Sequence, residues 1–251
     1  MDSGKHSWSL VTAALLLGLS IVIGTVIVTR TIQYVKTFNT SLLTATGSAE
    51  QLVTADVVKW TGSFFVDTSG ASLQTGYAKM EKSKAAVCDF LTQNGVPDGA
   101  VTIAPMVMNQ NYVDCKINPQ ACANGPSYRL IQTVIVESND VPKITSVAGD
   151  LGSLIRQDVT FSTHSLEYFY SKLPELRAQL LAAATKDAQQ RAEQIALSTG
   201  GSVGQLVSLT TQPLQLTPVN SDQSSNSGTY DTSTIEKKLT AIVQASFRLP
   251  Q

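Results

Sequence analysis

Three cysteines, two histidines and a scatter of carboxylates are the side chains in this sequence with chemistry to offer. Cys115 and Cys122 flank the short run KINPQA. A loop that short can be closed by a disulfide in an oxidising compartment; otherwise the two are unrelated thiols. Cys88 falls inside an amphipathic helical pattern and reads as a buried apolar filler. His6 precedes an apolar segment, and His164 lies in a strand-like run. A hydrolytic triad would have to use His164, which has only Glu167 nearby and no G-x-S-x-G elbow to serve, so it reads as structural. No CxxC or HExxH occurs, and a cysteine pair without a histidine is a poor zinc site. Gly149-Asp150-Leu151-Gly152 lacks the G-K-[ST] ending of a phosphate loop. Asp56, Asp67, Asp89, Asp98, Asp114, Glu137 and Asp140 sit mostly at the ends of elements, where caps and turns use carboxylates. No catalytic residue, cofactor or metal is expected from this inventory, and the chain reads as a non-enzyme.

The elements that would carry these groups follow from patterning. Residues 8–28, WSLVTAALLLGLSIVIGTVIV, hold no charge and are long enough to cross a bilayer as a helix. The run ends in VIVTRTIQYV without a small-x-small cleavage site, so an uncleaved anchor is expected rather than a removed signal. Residues 1–7 form a short tail and 29–41 a juxtamembrane spacer. Lys5 and Arg30 nearly balance the two ends, so the positive-inside rule does not orient the segment. The cysteine pair and polar composition favour a body outside the cytoplasm.

The body, residues 42–251, alternates between two periods. Val58, Trp60, Phe64 and Val66 share one phase of a strand. From Ser72 to Asn94 the apolar spacing turns helical, with Asn94-Gly95 as its stop. Runs from Val101 and from Tyr128 read as strands, with a short helix from Pro142 to Leu154. In Asp158 to Tyr170, Val159 and Phe161 share one phase while Leu166, Tyr168 and Tyr170 share the other, which predicts a bulge between them. A helix from Pro174 to Thr199 carries Leu176, Leu180, Ala184, Ala188, Ala192 and Ile195 on one stripe. Its small side chains allow close approach of a sheet, of another helix or of another subunit. A strand follows Ser202, residues 218–234 form a polar flexible loop, and a strand from Lys238 closes the chain. The expected fold is α+β, with helices packed on antiparallel sheets in the order ββαββαβαββ, preceded by one transmembrane helix.

Net charge is −1 and charged residues are 15% of the chain. This argues against a nucleic-acid binder, which carries a clustered basic excess, and fits an envelope protein better than a cytoplasmic enzyme.

Four passages carry a likeness: TATGSAEQLVTADVVKWTGSF, AAVCDFLTQNGVPDGAVTIAPMVMNQNY, YRLIQTVIVESNDVPKITSVAGDL and, most specifically, LRAQLLAAATKDAQQRAEQIALSTGGSVGQLVSL. Together they resemble the SIMPL domain family (DUF541), which includes YggE-like periplasmic proteins. Ala49 and Ala55 stand where the family usually has glycine and proline. The likeness covers residues 43 to 249. It implies an α+β fold, self-assembly into a large ring- or cage-like homo-oligomer, no shared catalytic residues, and a loose link to stress defence. Many bacterial relatives carry a cleaved signal, so an anchored chain would be a variation. The expected place is the bacterial inner membrane, single-pass, with the C-terminal body in the periplasm or otherwise outside the cytoplasm. The competing expectation is an envelope binding or signalling module that recruits a protein partner through the cysteine loop or the Ser-rich loop.

Overall fold

The computed structural model describes residues 4–40, 42–111, 126–221 and 227–250. Cys115 and Cys122 lie outside them. The chain begins with helix α1, Gly4–Thr40. No proline or glycine interrupts it after Gly24, so the helix does not stop at the end of the apolar run but continues through the expected spacer. The hydroxyls of Thr25, Thr29 and Thr31 each donate to the carbonyl four residues back, which satisfies them within the helix itself.

The rest of the chain forms strands β1 (Leu42–Thr54) and β2 (Val57–Ser69), helix α2 (Leu73–Gln93), and strands β3 (Val101–Ile103), β4 (Val107–Asn111) and β5 (Ser127–Ser138). Helices α3 (Val141–Gly149) and α4 (Gly152–Arg156), strand β6 (Thr160–Phe169) and helix α5 (Leu173–Ser198) follow. Strands β7 (Leu206–Thr211), β8 (Gln215–Pro218), β9 (Thr229–Tyr230) and β10 (Glu236–Arg248) end it. The single helix expected over 142–154 is two, because glycines at 149 and 152 bracket a break at Asp150 and Leu151. The stretch 218–234 contains β9, which runs parallel to β8.

Two compact units divide these elements. One is Glu50–Leu180 with Pro213–Thr240. Its main sheet is antiparallel in the order β3-β5-β2-β6, with β4 also on β5. Strand β2 pairs with β5 along all but its first residue, from Val58↔Ser138 to Ser69↔Ser127. Helices α2, α3 and α4 cover one face. Val58, Trp60, Phe64, Met80, Leu130, Val136, Ile144 and Leu154 are sealed between them. Asp140 caps α3 by accepting the Lys143 N–H at 3.2 Å, with Pro142 in the first turn where its missing N–H costs nothing. The predicted bulge is present: Thr61 pairs with Ser165 and Gly62 with Thr163, leaving His164 as the extra residue.

The other unit is Met1–Ala49, Leu181–Gln212 and Ala241–Gln251. Here β7 is antiparallel to the end of β10, from Val243↔Thr211 to Phe247↔Leu206 with an irregularity that skips Val207. Ala45, Ala184, Ala188, Ala192, Ala196, Ala241, Val243 and Ala245 are buried. The core is built of small side chains because backbone meets backbone. A Cβ at Gly47 of β1 would overlap the Ala184 carbonyl oxygen and the Ala188 nitrogen, and would lie 2.8 Å from the Ala188 Cα. Glycine is required there by space, not by conformation.

Candidate functional site

The α5 stripe is used inside the chain along most of its length. Leu176, Leu180, Ala184, Ala188 and Ala192 are all buried. Its next member is Ala196, at 3% exposure, and Ile195 is turned outward at 47%. A straight helix advances about 100° per residue, so four steps from Ala192 stay nearer the stripe than three. Beside the stripe, Asp187 accepts the Ser48 backbone N–H at 2.9 Å and the Arg191 Nε at 2.8 Å. The Ser48 N–H, with Arg191 adding, holds the Asp187 carboxyl below the usual carboxylate range against a smaller opposing effect of burial. The arrangement clamps the edge of β1 to the helix.

On the sheet face opposite α2 and α3, the bulge directs His164 to Ser63, with Nε2 2.7 Å from Ser63 Oγ. This is the spacing of a nucleophile and its base. Ser63 is only 5% exposed, and no carboxylate among the described residues holds the imidazole. The same face carries Lys59 3.6 Å from Glu137. Further along it, Arg129 grips Asp67 through two bonds of 2.7 and 2.8 Å while stacking 4.2 Å over the Phe65 ring. The Arg129 hydrogen bonds dominate at Asp67 and hold its carboxyl below the usual range.

The least foreseeable group is Asp231, in the polar stretch that reads as a loop. It accepts the N–H and hydroxyl of Ser233 and of Thr234. Lys237, fully buried, donates to its Oδ2 at 2.9 Å and to its carbonyl at 2.7 Å. Burial pushes the Asp231 carboxyl up, but these donors together outweigh it and hold it well below the usual range. The turn also ties neighbouring strands: Thr232 O accepts the Tyr168 N–H, Ile235 O the Ala55 N–H, and Leu216 O the Asp231 N–H. No sequence motif announces this turn; a lysine in register with buried Leu239 and Ala241 was the available signal.

Among the described residues no cluster of His, Cys, Asp and Glu could hold a metal, and Cys88 is a free, half-buried thiol on α2. A groove of about 610 Å³ is lined by Phe65, Val66, Asp67, Lys79, Lys82, Ser83, Gln157, Asp158 and Thr160. None of these positions stood out in the sequence as a site. At the N-terminus, Leu15–Tyr34 has a mean hydropathy of 2.1 and no buried share, which makes it a candidate membrane anchor or signal sequence.

Comparison with curated proteins gives no match. A family model described as "SIMPL: Protein of unknown function (DUF541)" matches residues 43–247, more than half of the chain and almost all of the folded body. With its antiparallel sheets, packed helices and apolar leading helix, the chain belongs to the SIMPL (DUF541) family.

Proposed function

We propose that this chain is a membrane-anchored, non-enzymatic SIMPL protein whose body self-assembles in the bacterial cell envelope, outside the cytoplasm, as part of stress defence. The observation that carries the reading is α1. Leu15–Tyr34 presents apolar side chains on every side with nothing of the chain packed on them. A bilayer is the solvent that accepts such a surface at this length. Among the described residues of the body no acid, base and nucleophile converge, which favours a structural role over catalysis. Assembly is what the family resemblance implies. Leu197, Leu206 and Leu209 remain exposed on the unit that carries α1, as contact surface would.

The test is particle mass and shape in mild detergent, by light scattering and electron microscopy, for the full chain and for a chain beginning at Leu42. Large symmetric particles from both are expected. Monomers from both would end the assembly reading and leave recruitment of a different envelope protein in its place.

A further inference from the structure

Strand β2 runs to Ser69, but β6 begins only at Thr160, opposite Phe65. From Val66 onward β2 therefore has a neighbouring strand on its β5 side alone. The groove lies at this step in the sheet. Phe65, Val66 and Asp67 of β2 form one wall and Lys79, Lys82 and Ser83 of α2 the other; Gln157, Asp158 and Thr160 close the end where β6 starts. Its volume of about 610 Å³ is within the ~300–1,000 Å³ typical of ligand pockets.

The charges in it are unequally committed. Asp67 is neutralised by the two bonds from Arg129. Lys79 and Lys82, three residues apart on α2, have no ion-pair partner among the described residues. Asp158, held at φ 58°, is the single uncommitted carboxylate. The balance is cationic, beside the end of β2, where alternate residues bond β5, as the Gly70 N–H does to the Pro126 carbonyl, and the Ser69 N–H is taken by Ser72 Oγ; the Asp67 backbone is left facing the open side.

We propose that this groove binds an extended acidic peptide segment of a partner protein. The peptide adds in line with β6 and pairs with the Asp67 backbone, and its carboxylates face Lys79 and Lys82. Backbone pairing supplies the attachment and the lysines select the sequence. The inference is independent of self-assembly, since the groove lies within one subunit.

The test uses the full chain in mild detergent and fluorescence anisotropy of three labelled hexapeptides. These are Thr-Val-Glu-Val-Glu-Thr, the same peptide with lysine for glutamate, and the acidic peptide with alternate backbone nitrogens methylated. The acidic peptide is expected to bind saturably and the basic one at least about tenfold more weakly. Lys79→Glu combined with Lys82→Glu, both at exposed positions that leave the fold intact, should reverse that order. Methylation should abolish binding by removing strand donors. No saturable binding of the acidic peptide up to about 1 mM would overturn the proposal. So would a preference unchanged in the double variant. Undiminished binding of the methylated peptide would overturn it too, by reducing the groove to a plain anion site.

Discussion

Lys237 is fully buried, and its ammonium is held by one carboxylate and one carbonyl. Removing the carboxylate strands a charge without water, so Asp231→Ala should cost about 3–5 kcal/mol in urea unfolding. Lys237→Met should cost less, because Asp231 keeps the Ser233 and Thr234 donors and methionine fills the lysine's volume. The pH dependence has a definite sign. The folded carboxyl is depressed, so its contribution is complete above the unfolded value of about 3.9 and is lost as pH falls through the folded value. The stability gap between wild type and Asp231→Ala should hold steady from pH 7 to about 5 and narrow below about 4. A gap that widens in acid would show that the pair is not the origin of the effect. The same scale explains what remained hidden in the sequence. Ser63 and His164 are 101 positions apart, and Asp231 sits in a run of Ser, Thr and Asn whose composition reads as solvated loop.

Among the elements, α5 shows how far periodicity reaches. Pro174 at its start, Gly200 at φ 75° after its end and the four-residue alanine spacing are all visible in the sequence. The partner of that alanine face was not, because a helix stripe does not say what covers it. Gly47 supplies the answer, and the contact is testable. Gly47→Ala should destabilise by about 1–3 kcal/mol through overpacking against the α5 backbone. Gly149→Ala, where an added Cβ meets nothing within 4 Å, should be neutral or stabilising by up to about 1 kcal/mol. Equal effects in thermal unfolding would mean that β1 and α5 do not approach as described. The phase change in β6 was likewise legible, since alternation must slip where a bulge inserts a residue, and it does so at His164. Strand β7 lies at a sheet edge in a stretch with no charge between Glu193 and Asp222. Its irregularity at Val207 and the following Pro213 guard that edge instead, so subunit contacts made there would be short.

For the whole molecule, the apolar composition of α1 makes one further expectation direct. The full chain should stay with membranes through an alkaline wash, and a chain beginning at Leu42 should appear in the soluble fraction. Release of the full chain by the wash would remove the anchor from the reading. The fold class was legible because the period switches between two and 3.6 along the body; the unbroken length of α1 was not, because polar composition after Arg30 reads as a spacer while nothing there terminates a helix. That length has a mechanical consequence. Only one residue lies between Thr40 at the helix end and Leu42 at the start of β1. Each residue added to or deleted from the helix beyond Tyr34 would turn the helix end by about 100° around the helix axis and shift it by about 1.5 Å along it. Azimuth and depth of the helix end are thus geared together like a screw thread, so that, if the chain is anchored and assembles as proposed, copies would meet in register only at certain linker lengths.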